Sequence, residues 1–527
     1  MKAPEVIAGL GGLLSDPACC VIKDGHLVSA IEQSKITRRE RFEPFPDDTF
    51  QAALHTAQVE PEQVDCIAVS RAFSRVAESD MLLALRSRFP HSEVVVVEHH
   101  AAHAASAYFA SGFADAAVLS IDRAGDYRSA VLYQANGRQL NTVRELYFPD
   151  SLGDVFNRVT ELVGYQSRSD EHKVQWLSTT AEPAYTSVFL RLLNGGEAAW
   201  PRIDRAYLDL TRHSRGGFSD KFFDSLGISA TAPIPASMQA TIAASVQQAV
   251  NETVARMIGS AERVCIAGGL GLNALLIAHL EQQFPQVFVQ PAAGNAGTAI
   301  GAALHAWHLF YGQEARIPFD TLCLGPEFPA EEIKRVIENC KLRFRFLLTE
   351  GEVIDQGIQC LSEGKIVAWM HGRMEFGPRA LGNRSILASP LNPYSSENLN
   401  VYIKHRESFR KFAASVPAEV ANEYFEVGQN ARFLATVGKV KNAHRKTFEA
   451  ALLGSDLVRV HTVDRDENPL FHALLTEAGK KTGLPVLYNT SFNLFGDPLV
   501  CSPRDAVRSF YSSGIDTLFA GHFFLEK

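Results

Sequence analysis

Three arginines and two glycines fall within the fifteen residues 373–387, RMEFGPRALGNRSIL. A guanidinium presents a planar fork of donors that grips phosphate or carboxylate by two hydrogen bonds at once, and glycine lets backbone N–H groups come close to the same anion. The apolar run 366–370 just before it reads as a buried strand that delivers these arginines at its end. On residue types alone, a surface loop of salt bridges accounts for the stretch equally well.

A second set lies near residue 100, where four valines run into His-His-Ala-Ala-His. His99 and His103 stand four apart, so on a helix they share a face and can ligate one metal ion; core or solvent-facing histidines also show this spacing by chance. The strand expected over 116–121 ends at Asp122. Further along, a strand over 263–267 meets Gly268-Gly269-Leu-Gly-Leu-Asn273, and a helix opens at Ala274. Strand, glycine turn and helix together make either an anion site at a helix amino terminus or a tight turn. The run 404–411, KHRESFRK, has the composition of an exposed basic helix. A strand over 484–488 ends in Asn489-Thr-Ser491-Phe-Asn, short polar groups able to hydrogen-bond an oxyanion such as phosphate.

The elements that must position these residues follow from composition and periodicity. With 527 residues, 46% hydrophobic and 21% charged, the chain has apolar content for two or three domains. A net charge of -8 excludes a general nucleic-acid or membrane-surface role and leaves positive patches local and ligand-directed. The eight cysteines include no CxxC pair and are expected as reduced thiols of a cytoplasmic protein. The run 6–14 is glycine-rich and leads into a further apolar stretch and Asp24-Gly25, which fits two strands better than a signal peptide. No uncharged apolar stretch reaches the roughly 18 residues that span a bilayer.

In order, the pattern predicts a hairpin over 6–30, a helix over 48–63, a strand over 64–70 and an irregular insertion over 184–235. That insertion is either acceptor-shaping or mere packing. A long amphipathic helix follows over 236–260, then a strand over 287–290 before a small-residue helix through Trp307. The segment 324–329, rich in proline and glycine, is the expected domain boundary.

The arginine stretch and these other motifs, in this order, resemble the carbamoyltransferases of nodulation and antibiotic tailoring. The resemblance runs along nearly the whole chain. It implies an α/β fold with an actin-like ATPase (ASKHA) unit over 1–325 and a YrdC-like unit over 326–527. The YrdC-like unit would activate carbamoyl phosphate with ATP as carbamoyl adenylate, and the actin-like unit would transfer the carbamoyl group to a hydroxyl of a small secondary-metabolite acceptor. The resemblance implies a divalent metal, Fe(II), on His99, His103, Asp122 and Asn295, and nucleotide or donor contacts from Asp122, Arg123, Gly153, Gly268, Gly269, Asn273, Arg379, Arg384, Lys404, Arg410, Asn489 and Ser491. Asp16 and Lys173 would serve catalysis. It implies a cytoplasmic enzyme without nucleic-acid or membrane partners, with a homodimer as a candidate assembly and a monomer the alternative.

The sequence departs from the family pattern at four places. Ser15-Asp16 stands where relatives carry His-Asp, and serine cannot take a proton near pH 7 as imidazole can. Arg123 stands where relatives have glycine, the segment 173–183 keeps Lys173 but loses two glycines, and Asn295 replaces an aspartate metal ligand. An amide oxygen still coordinates a hard cation but brings no negative charge. Transfer to an amine and a catalytically silent, nucleotide-binding homologue are the other readings.

Overall fold

Alternation along the first strand decides where it sits. In β1 (Val6–Gly11), Val6, Ala8 and Leu10 enter one apolar cluster and Ile7 enters another, so the strand is covered on both faces. The computed structural model describes residues 3–13, 15–39, 45–71, 78–193, 200–317, 319–494 and 496–527; Leu14 of the expected hairpin lies outside them. β2 (Ala18–Lys23) and β3 (His26–Glu32) extend the sheet antiparallel, while β4 (Cys66–Ser70) and β5 (Glu93–Val97) add to its other side in parallel, giving the order β3-β2-β1-β4-β5.

The same pattern then repeats. β6 (Asp115–Gly125) pairs antiparallel with β7 (Arg128–Asn136), which pairs with β8 (Gln139–Tyr147), and β9 (Arg263–Ala267) and β10 (Gln286–Val289) follow in parallel. The resulting order, β8-β7-β6-β9-β10, is the first sheet over again. This duplicated α/β arrangement is the one expected of an actin-like unit. The helices His99–Tyr108 and Thr298–His305 pack on each other with small residues, and Gly301 lies so close to Ala102 that a Cβ would sit 1.8 Å from its carbonyl oxygen.

A third, mixed sheet of ten strands forms the rest: β11 (Arg345–Phe346), β12 (Val367–Met370), β13 (Arg384–Ala388), β14 (Ala413–Pro417), β15 (Phe425–Glu426), β16 (Val437–Val440), β17 (Leu457–Val463), β18 (Leu487–Ser491), β19 (Thr517–Ala520) and β20 (Phe523–Glu526). Their order is β11-β20-β19-β12-β13-β18-β14-β17-β16-β15. Met374, Ala380, Leu499 and Cys501 from this part of the chain pack into the cluster under β1, so the apolar interior is continuous across it.

Several expectations shift. The helix expected over 48–63 is Asp47–Ala57 followed by a separate turn, Pro61–Gln63, because Gln58 adopts φ 53° and closes the first helix. The stretch 184–235 holds two helices, Thr186–Leu193 and Asp220–Leu226, with Phe218 and Phe222 stacked 4.0 Å apart; its residues 194–199 lie outside the described ones. The basic run 404–411 is no exposed helix: the helical turn Asn398–Lys404 ends at His405 with φ 43°, and Lys404, Arg406 and Arg410 are half-buried. Among the described residues no helix is long and apolar enough to cross a membrane.

Candidate functional site

Glu98 leaves β5 in extended conformation, and the helix His99–Tyr108 starts at once, so His99 and His103 lie one turn apart on the face toward β6. The ladder between β6 and β7 breaks after Ile121 and resumes only at Gly125, which lets Asp122 turn out of the sheet. Its Oδ2 lies 3.1 Å from His99 Nε2 and 3.5 Å from His103 Nε2, and ligand atoms from the three residues all fall within 4.8 Å of one another. Gly125 is required here, because a Cβ would stand 2.0 Å from His99 Cδ2. Asp126 braces the first histidine by accepting its backbone N–H (3.0 Å) and pairing with Arg71 (3.1 Å).

The donor set fits a divalent cation. Among the described residues neither ring nitrogen of the fully buried His103 finds a hydrogen-bond partner, and Asn295 Oδ1 is likewise buried without one. Burial holds the His103 imidazole below its usual range and hence neutral, the form that ligates metal. Burial would raise Asp122, but the His103 and His99 imidazoles beside it hold its carboxyl well below the usual carboxylate range. Two imidazoles, a carboxylate and an amide oxygen suit zinc or iron(II). The neighbouring His100 has another part: Ser120 Oγ at 2.8 Å and the Arg128 carbonyl at 3.1 Å occupy its ring, and burial pushes its pKa down to about 3.

Two departures from the family pattern, 280 positions apart, touch each other. Asn295 Nδ2 donates to Ser15 Oγ at 2.5 Å. Arg123 donates its backbone N–H to Asp122 Oδ1 (2.7 Å) and reaches Asp154 with its guanidinium (3.6 Å). Gly153 lies against the Arg123 backbone, where a Cβ would stand 2.9 Å from both N and Cα. Lys173 is held between Asp170 (3.2 Å) and Glu407 (3.3 Å), the second of these on the far side of the expected boundary.

The glycine turn joins this site to the arginine stretch. Gly268 adopts φ 93° with its Cα packed on Ile121, and a Cβ on Gly269 would stand 3.1 Å from Asp122 Oδ1. At the other end of the turn, the Leu272 carbonyl accepts a hydrogen bond from Arg379 at 3.3 Å. Asn273, expected at a ligand, instead caps the helix Ala274–Gln283: Oδ1 accepts from Leu275 and Leu276, and Nδ2 donates to Gln247. Both ends of its amide are spent there.

Within the arginine stretch the three guanidiniums have three fates. Arg373 donates to the carbonyls of Val28, Leu324 and Gly325 and ties the stretch to β3. Arg384 is wholly buried, with donors aimed at the carbonyls of His371, Gly372, Asn383, Pro326 and Cys501. It is therefore unable to grip an anion, and the expectation that it binds donor or nucleotide is corrected to a scaffolding role. Among the described residues Arg379 bonds only to Leu272, and burial lowers its pKa to about 10. Gly377 and Gly382 serve the backbone: both have positive φ, Gly377 N–H donates to Glu32, and Gly382 N–H donates to Ser385.

Arg379 is not alone. Arg406 and Arg410 sit on the basic run, and Arg459 on β17 is pushed far down by burial and by the charges of Arg379, Arg406 and Arg410. Lys404 spends its ammonium on Ser491 O (2.5 Å), Asn493 O (2.9 Å) and Asn493 Oδ1 (2.7 Å), fastening the tip of β18 rather than pointing at a ligand. Asn489 donates to Ala380 O and Ser415 Oγ, leaving a buried, unpartnered Oδ1, and Ser491 Oγ turns to Asn493.

Sequence reasoning passes over Arg459, Arg406 and Glu407, and also over Glu375. The Glu375 carboxylate is buried, and its Oε1 accepts the backbone N–H groups of Leu381, Asn383 and Arg384 at 2.8, 2.8 and 3.1 Å. A signal existed, since Glu375 is the one acid in the stretch 373–387. Arg459 gave none, being one polar position on an alternating strand.

Known proteins resemble this chain over nearly its whole length. The family models described as Carbamoyltransferase N-terminus and Carbamoyltransferase C-terminus match residues 71–304 and 358–527. The chain is 32% identical to the uncharacterized protein sll1178 of Synechocystis, over 99% of this chain and 96% of that protein. It is 31% identical to nodulation protein NolO of Bradyrhizobium diazoefficiens, over 82% and 79%. It is also 31% identical to the 3'-hydroxymethylcephem-O-carbamoyltransferase of Amycolatopsis lactamdurans, over 50% and 48%. The chain belongs to the carbamoyltransferase family and is a transferase.

Proposed function

We propose that this carbamoyltransferase converts carbamoyl phosphate and ATP to carbamoyl adenylate in a YrdC-like unit over 326–527, and transfers the carbamoyl group to a hydroxyl of a small secondary-metabolite acceptor in the unit over 1–325. One observation carries the reading: a single turn has Gly269 against Asp122 at one end and Leu272 bonded to Arg379 at the other. The two candidate sites thus share a wall.

In the first step ATP, carbamoyl phosphate and water become carbamoyl adenylate, pyrophosphate and phosphate. Arg379, Arg410 and Arg459 hold the phosphates and offset the charge that develops as the α-phosphate is attacked. Asn489 Oδ1, buried without a donor, is placed to accept from the carbamoyl NH2 group. In the second step the acceptor oxygen attacks the carbonyl carbon, its proton passes to the Asp16 carboxylate, and AMP leaves. Lys173, which pairs with Asp170 and Glu407, steadies the departing phosphate in this reading. Held by His99, His103 and Asp122 with Asn295 alongside, a divalent cation such as Fe(II) would act as a Lewis acid toward a carbonyl or phosphate oxygen.

The test is pyrophosphate release from protein, ATP and carbamoyl phosphate without acceptor. Release that needs both substrates and disappears in Arg379→Ala is expected. No release, even with divalent metal and hydroxylated acceptors added, overturns the reading.

A further inference from the structure

The cationic cluster Arg379, Lys404, Arg406, Arg410 and Arg459 forms an ion pair with only one carboxylate among the described residues, that of Glu407. Its two oxygens are unequally held. Oε1 lies 3.3 Å from Lys173 Nζ, whereas Oε2 is enclosed, stands 3.6 Å from Arg410 Nη1 and makes no hydrogen bond among the described residues. A pair at that distance is Coulombic only and is readily exchanged for a closer, bidentate partner. The positive charge around it is dense: Arg459 feels Arg379, Arg406 and Arg410, and the donor Nη2 of Arg406 is buried without a partner.

We infer that Glu407 is a specificity-determining residue, a built-in counter-anion that occupies Arg410 until a phosphate-bearing donor displaces it. This rests on the arginine cluster being the donor's anion site. A carboxylate of one negative charge, loosely placed, holds off small univalent anions, while a doubly charged phosphate that bonds two guanidiniums at once outcompetes it. When Arg410 turns to the donor, the Glu407 carboxylate stays with Lys173. A ligand that cannot repay the displacement of Glu407 by bonding two guanidiniums at once is thereby turned away.

Calorimetric titration of the full chain with inorganic phosphate and with pyrophosphate tests this, comparing wild type, Glu407→Gln, Glu407→Asp and Arg379→Ala. Removing the carboxylate while keeping its shape should tighten both anions about tenfold at low salt, with the gain fading near 1 M salt. Glu407→Asp, which keeps the charge, should stay within about twofold of wild type. Unchanged or weaker binding by Glu407→Gln overturns the inference, because a carboxylate that merely positions Arg410 would give that result. Binding by neither wild type nor Glu407→Gln overturns the anion-site reading itself, and Arg379→Ala must lose the binding if that reading holds.

Discussion

Lys35 Nζ lies 2.7 Å from the carbonyl oxygen of Gly377, 342 positions along the chain, and 2.9 Å from that of Glu375. Glu32 completes the contact: its carboxylate is 3.0 Å from the same ammonium, and its Oε1 accepts the Gly377 N–H at 2.7 Å. Burial pushes the Glu32 pKa up, with Lys35 pulling the other way. Lys35→Met should therefore destabilise the protein by about 3 kcal/mol, since it leaves a buried acid without its cation. Adding Glu32→Gln to it should restore a good part of that loss. Urea unfolding of the two single variants and the double variant measures both effects, and strict additivity would remove the coupling.

Arg379 and Arg384 should separate cleanly. Arg384→Lys strands carbonyls that a planar fork now satisfies and should cost about 3 kcal/mol or more. Arg379→Ala removes a charge that burial and nearby arginines disfavour, so its melting temperature should be equal or higher while pyrophosphate release is lost. A large drop in melting temperature for Arg379→Ala would mean the side chain is structural.

The metal cluster offers two opposed substitutions. Asn295→Asp supplies a carboxylate beside His103 and should raise affinity for iron(II) at least about tenfold. Gly125→Ala drives a methyl into the His99 ring and should lower it. Anaerobic titration of metal-free protein reads both, and an affinity indifferent to Asn295→Asp would put this side chain outside the coordination sphere.

Acid should weaken the fold through histidines far from that cluster. Burial holds His371 and His461 down to about 3, whereas an unfolded histidine titrates near 6.5. Between those values the unfolded chain binds protons that the folded chain refuses, so stability is complete above pH 6.5 and falls as pH drops toward 3. Each contributes a slope of at most about 1.4 kcal/mol per pH unit. His461→Asn, which can keep the contact to Ser415 Oγ, should lower the slope of stability between pH 6 and 4 by about one proton.

Residue type and spacing expose the helix His99–Tyr108, the β9 turn and the arginine stretch, because each is local. Direction is not local. Arg379 and Arg384 read alike until the first is found on a loop and the second at the start of β13, inside the sheet. Asn273 before an apolar helix carries the composition of a cap, and the capping geometry is what it adopts. Arg459 reaches the cluster only because β17 lies beside β14 in the third sheet, a pairing between segments 46 positions apart that no spacing rule announces. The Ser15–Asn295 bond is of the same kind, each partner legible alone and their meeting not.

The interior shared between β1 and the side chains Met374, Ala380, Leu499 and Cys501 bears on what happens if the polypeptide is severed. A cut near Leu324 would release two fragments, each with a greasy face shaped for the other and with Lys35, Arg373 and Glu32 left dangling at the seam. Neither fragment would behave as an independent module in water. Produced together, the two would have matching apolar faces to bury against each other.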